Sequence, residues 1–351
     1  MSRSGGSVRP HLLWEAVLLV LTVVAAVVWY SQDGSRLSLL VYDIAFVGLL
    51  ATAFALSLRT ATPNLAVVAA AALAGVAYAE VLDSGAPVFV AAIAAIAAAT
   101  FLGLGMGLVA GLLRAPGWAV SLGGLALTQG ILLAVTGGGG PQRLAKEGAI
   151  RSDSAAAKWL VLFLLLSIGG AALWSIPAVR RALSGNRVVA GEPPSPFGAR
   201  LLGAVVGLGG SSLIAGAAGV LLTGRIGATV LSTDISQLAL VAGAVLLGGV
   251  SVAGGRGGFA GTVLGVVLLS LVQRTILVAD GPRWLSTVVF ALAIVVGLGI
   301  SRALEALQPS LPTSTPGAPP MSMPGTLPTS TPGAPPASVP GTGPVEQSRN
   351  Y

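Results

Sequence analysis

Few residues in this sequence are equipped for chemistry, and most of those stand among apolar neighbours. There is no cysteine, and the single histidine, His11, sits at the edge of an apolar run. Thiol nucleophiles, disulfides and Cys-ligated metals are therefore excluded, and His11 reads as an interfacial residue rather than a ligand or a base. No Gly-x-x-x-x-Gly-Lys-[Ser/Thr] loop occurs, so the chain itself is not expected to hydrolyse ATP. His-Glu-x-x-His, Gly-x-Ser-x-Gly and carboxylates paired at catalytic spacing are also missing from the sequence. The expectation is a protein that is not an enzyme, with no catalytic residue, no cofactor and no metal.

The remaining polar residues suit transport or helix packing. Asp43 falls about six residues inside an apolar run, where a carboxylate is either a proton or cation site or an interfacial residue at the start of the span. Arg274 stands near the end of a later run and is placed to snorkel as an anchor. Gln129, Gln237 and Gln273 are uncharged candidates for lining a path or bonding between helices. Arg256 is the lone cation in Gly248–Gly265, a glycine-dense stretch between two apolar runs. Such a stretch is either an ordinary interhelical turn or a functional break.

The elements that must position these residues follow from composition. Hydrophobic residues make up 54% of the chain and charged residues 9%, with a mean hydropathy of +0.89. Soluble domains carry roughly a quarter charged residues, so the chain reads as an all-α polytopic membrane protein. About ten apolar runs qualify as spans, at approximately 12–30, 37–58, 64–82, 87–113, 118–136, 158–176, 199–222, 237–252, 257–278 and 284–301. Residues 1–10 form a short polar lead, 11–302 the membrane domain, and the first run reads as a retained span rather than a cleaved signal. Gly103, Gly107 and Gly111 share one helix face, as do Gly203, Gly207, Ser211, Ala215 and Gly219. Gly257, Gly261 and Gly265 form a third such line, and all three lines let helices approach closely.

Residues 303–351 change character. Leu311–Pro320 recurs at Leu327–Pro336 in a Pro/Ser/Thr/Gly-rich tandem repeat that cannot bury enough apolar surface to fold, so a disordered tail is expected. With Met1 inside, inner flanks hold ten Lys or Arg residues, Arg59 among them, and outer flanks eight. The positive-inside rule then places both termini in the cytoplasm. The formal charge of +7 is a topology signal here, and without basic patches interleaved with aromatics no nucleic-acid partner is expected.

Two stretches resemble ribose/xylose-type ABC sugar permeases. One runs from Gly107 through Arg114, Pro116, Ser121, Gly123, Gln129 and Gly130 to Thr136-Gly137-Gly138. The other is Leu247-Gly248-Gly249-Val250-Ser251-Val252-Ala253-Gly254-Gly255-Arg256-Gly257, with Gly261 and Gly265, which is similar to the family's Gly-Gly-Thr-Ser-Leu-x-Gly-Gly-x-Gly signature. The resemblance covers roughly residues 37–300. It departs at Thr60–Leu65, where the family carries Gly-Ile-Asp-Leu-Ser, and at Gln129, where the family has Arg.

The resemblance implies a bilayer-embedded permease subunit that pairs with a second permease copy. It would work with a separate cytoplasmic ABC ATPase and an extracytoplasmic solute-binding protein, in the plasma (inner) membrane of a bacterium. It also makes Gly248, Gly249, Ser251, Gly254, Gly255, Arg256 and Gly257 candidates for coupling to the ATPase or for gating. The solute implied is a small polar molecule, a monosaccharide first, with nucleosides and branched-chain amino acids as alternatives. A proton-coupled secondary transporter acting through Asp43 or Glu80, and a membrane scaffold presenting the Pro-rich tail, remain open as other classes.

Overall fold

A computed structural model describes residues 9–138, 140–144, 153–187, 195–231, 234–252 and 260–306. The described residues are helical throughout, apart from short connections and one isolated bridge between Arg143 and Ala228. A chain this apolar in a bilayer has no water to satisfy its backbone, and helices close those hydrogen bonds internally.

The helices are α1 (Arg9–Asp33), α2 (Leu37–Arg59), α3 (Val67–Asp83), α4 (Val88–Leu113), α5 (Gly117–Val135), α6 (Asp153–Ser175) and the short α7 (Pro177–Leu183). Then come α8 (Phe197–Ala204), α9 (Gly210–Ile226), α10 (Ile235–Leu247), α11 (Gly261–Val278) and α12 (Arg283–Ala306). A π-helical turn, Val205–Gly209, joins α8 to α9, so that Phe197–Ile226 forms one continuous apolar span.

Among the described residues, eight helices are long and apolar enough to cross a membrane, which makes this an all-helical, multi-pass membrane protein. Two of the runs expected to be spans are shorter as helices. Helix α10 has 13 residues, about 20 Å at 1.5 Å per residue, and α3 has 17. Helix α10 ends early because Gly249 takes φ +78°. Its N–H donates to the Leu246 carbonyl and that of Val250 to the Val245 carbonyl, a glycine-closed helix end in which the last carbonyls are satisfied. The tail expected at 303–351 is described only to residue 306, within α12; from 307 onward it lies outside the described residues.

Among the helices of span length, two form the centre. In α2, 72% of the span window is buried inside the protein, and in Phe197–Ile226 it is 67%, against 17% for Leu13–Gln32 of α1. Since all three are apolar along most of their length, burial and not composition separates the core helices α2 and α9 from the peripheral α1. Around the core, α2 packs on α6, α9, α10 and α11, while α9 packs on α3 and α4.

Candidate functional site: a buried polar break between α2 and α3

Helix α2 stops inside the packed core. Ala61 adopts φ +57°, its N–H donates to the Leu58 carbonyl, and the N–H of Thr62 donates to that of Ser57. This is the same closure that ends α10, made here by alanine at a left-handed position that costs about 1–2 kcal/mol for a residue with Cβ. Pro63 then prevents the helix from resuming. Non-helical backbone is tolerated in a membrane protein where it is buried in protein or lines a cavity. Here it is buried: Thr60 and Asn64 are wholly inaccessible and Thr62 nearly so.

The open peptide groups of the break find side-chain partners on α2, on α5 and within the break itself, and the Asn64 side chain ties it to α9. Asn64 donates its backbone N–H to Ser57 Oγ at 3.0 Å and accepts at Oδ1 from the Ala66 N–H. Its Nδ2 donates to Ser211 Oγ at 2.7 Å and Ser212 Oγ at 3.3 Å on α9. Ser121 of α5 accepts from the Leu65 N–H and donates to the Pro63 carbonyl, both at 3.0 Å. The Thr60 and Thr62 hydroxyls lie 2.8 Å apart. Room for this cluster comes from glycine: a methyl at Gly117 would stand 2.7 Å from Thr62 Cα, and one at Gly207 would strike both threonine hydroxyls.

The glycine lines distribute over several neighbours. A methyl at Gly103 would stand 2.5 Å from the Leu208 carbonyl, one at Gly107 2.7 Å from Val205 Cα, and one at Gly111 2.6 Å from the Leu201 side chain. Gly203 instead faces Leu183 and Asn186, Gly207 the break, and Gly219 the Ala71 carbonyl of α3. The π-helical turn inserts a residue between Gly203 and Ser211 and rotates the face. That is why one sequence stripe meets three partners. Gly261 lies on Gly248, and Gly265 on the Ala244 carbonyl, so α10 and α11 touch backbone to backbone. Ser251 is buried just beyond the α10 closure. Gly254, Gly255, Arg256 and Gly257 lie outside the described residues.

Asp43 is a counter-ion. Its Oδ1 accepts from Arg225 Nη1 at 2.6 Å, its Oδ2 accepts from Arg274 Nε, and Arg225 also lies 5.0 Å from the Tyr42 ring centroid. This corrects the expectation that Arg274 is a snorkelling anchor: it points inward and ties α11 to α2. Glu80 is exposed.

The three glutamines do not form one group. Gln129 Nε2 donates to the Leu231 carbonyl at 3.3 Å from α5, which packs on α3 and α4. Gln237 and Gln273 belong to the α10–α11 pair, and Gln237 Nε2 is buried without an acceptor.

The sequence counts Arg59 among the cytoplasmic flanking charges; it is the last residue of α2, and only 5% of it is exposed. It is held between α2 and α6, and its Nε has no acceptor. The polar run Thr60-Ala61-Thr62-Pro63-Asn64 and the Ser211-Ser212 pair were the sequence signals of this site. Nothing in their spacing joins positions so far apart in the chain.

The fold and site thus define a class: a multi-pass helical membrane protein with a polar, non-helical break in its core. Comparison of the chain with protein-family models, curated proteins and solved structures finds no match in any of the three.

Proposed function

We propose that the chain is the membrane-spanning permease subunit of an ABC importer for a small polar solute, a monosaccharide in the first instance. The observation that carries this reading is the buried break at Thr60–Leu65. Helix α2 is long enough to cross a membrane by itself, so the break lies at the end of a span. Polar, non-helical backbone buried against protein is what transporters use where their helices break, and a simple scaffold has no need of it. The ABC class itself rests on the resemblance of the Gly107–Gly138 and Leu247–Gly265 stretches.

Hydrolysis of ATP belongs to a separate ATPase chain, delivery of solute to an extracytoplasmic binding protein, and the path to a pair of permease copies. The glycine closure at Gly248-Gly249 and the backbone contact of α10 with α11 support a mechanical role for that stretch, because close-packed backbones transmit displacement without slack. Asp43 favours this reading over proton coupling, since both its carboxylate oxygens are engaged by arginines.

The test is reconstitution of the full chain with a co-expressed ATPase and binding protein. Solute-stimulated ATP hydrolysis is expected, and uptake that persists without the ATPase overturns the reading.

A further inference from the structure

Arg59 is a charge without a counter-charge. No hydrogen bond or ion pair engages its guanidinium among the described residues, although it is 5% exposed. A buried cation left alone costs several kcal/mol, and in a membrane protein such residues pair with an anion or mark a ligand. The face of α6 turned toward Arg59 is informative.

Helices α2 and α6 run side by side in the same direction: Phe163 fills the notch at Gly48, and Gly170 faces Arg59, a methyl there standing 3.7 Å from Nη1. Trp174 lies one turn beyond Gly170 on the same face of α6. The Gly48–Phe163 register, carried along both helices, brings it level with Arg59. Its indole Nε1 is buried and has no acceptor, and the residue is 7% exposed.

The region therefore holds two buried donors, a guanidinium N–H and an indole N–H, and bare helix backbone at Gly170. Neither side chain can accept a hydrogen bond. The nearby hydroxyl of Thr60 is turned to carbonyls of its own helix.

We propose that Arg59 and Trp174 form an oxyanion-binding site between α2 and α6, which takes a carboxylate or phosphate group. Arg59 supplies the charge and a planar fork suited to two oxygens, and Trp174 adds a neutral donor on the other wall. The group arrives either on a soluble solute, such as a sugar acid or sugar phosphate, or on an anionic lipid headgroup. The chemistry recognised is the same. The site stands whether or not the chain is a permease, so its test does not use transport.

The experiment measures the melting temperature of the full chain in phosphatidylcholine nanodiscs. Probes are D-glucuronate with D-glucose as its neutral control, inorganic phosphate, and discs in which part of the lipid is phosphatidylglycerol. A rise of several degrees with at least one anionic probe, and none with glucose, is expected. A response to glucuronate or phosphate assigns the soluble source, and one confined to phosphatidylglycerol assigns the lipid.

Arg59→Met removes the uncompensated charge. It is expected to melt at or above the wild-type temperature in neutral discs and to lose the response. Trp174→Phe preserves the packing and is expected to weaken the anion about tenfold. Three results overturn the proposal: no shift of the wild type with any anion, a full response in Arg59→Met, or Arg59→Met melting well below the wild type in neutral discs. If Arg59→Met does not fold, an unchanged affinity in Trp174→Phe overturns the two-donor site.

Discussion

The side-chain amide of Asn64 donates to the Ser211 hydroxyl at 2.7 Å, across 147 positions of sequence. Through this bond the break after α2 is held against the start of α9, at the middle of the continuous Phe197–Ile226 span. Replacing Asn64 with Leu removes the donor to two buried serine hydroxyls, of which Ser211 keeps its bond to the Leu208 carbonyl, and leaves the Ala66 N–H without its acceptor. At about 1–3 kcal/mol for each buried group left without a partner, the variant should melt well below wild type in detergent. Ser211→Ala should cost less, and the double variant should be less destabilised than the sum of the two, because the pair shares a bond.

Close helix contact makes a second prediction. A methyl at Gly107 would stand 2.7 Å from Val205 Cα, whereas one at Gly105 meets nothing within 4 Å. Gly107→Val should cost about 1–3 kcal/mol by overpacking and reduce the monodisperse fraction in size-exclusion chromatography. Gly105→Val should behave as wild type. Equal behaviour of the two variants would show that α4 and the α8–α9 helix are not in backbone contact there.

Asp43 ties α2 to α9 and α11 through Arg225 and Arg274, all three side chains partly buried. Asp43→Asn leaves two guanidinium groups facing a neutral amide and should lower stability by about 1.5–3 kcal/mol, the range for hydrogen bonds to charged groups. Adding Arg274→Gln should restore part of the loss by removing the surplus charge. A proton-coupling role for Asp43 expects a different result: a melting temperature like wild type, with uptake that no longer depends on pH.

The start of α10 carries a pH-dependent contribution. The Ser236 hydroxyl and N–H both donate to the Asp234 carboxylate, at 2.6 Å and 2.9 Å, and with Arg283 nearby they hold its pKa below the ordinary value. The folded state therefore favours the ionised form. The stabilisation is complete above the unfolded pKa and is lost as pH falls through the lower folded value, so it disappears from about pH 4 downward. Asp234→Ala should cost about 0.5–1 kcal/mol at pH 7, as for an exposed helix cap, and should flatten the acid limb of a stability-against-pH profile.

Much of the architecture was legible in the residues because bilayer insertion is decided by local composition. Helices α2, α4 and α12 occupy almost the runs that hydropathy marked, since an apolar segment of that length has few alternatives to a helix in lipid. The glycine spacing of Gly261 and Gly265 also announced a close contact, because a helix turn places them on one face. The end of α10 was less legible, since a glycine pair allows either a continued helix or a left-handed closure, and only packing on Gly261 selects the second.

What the sequence by itself determined is therefore the class, a helical multi-pass membrane protein without cysteine chemistry, and the approximate extent of its helices. These are properties of segments, set by transfer free energy and backbone hydrogen bonding. Tertiary structure alone decided that Arg59 is buried, that Asp43 answers two arginines, and that Asn64 reaches Ser211. Each depends on which helices pack together and how they are rotated, and no short-range signal in the chain carries that information.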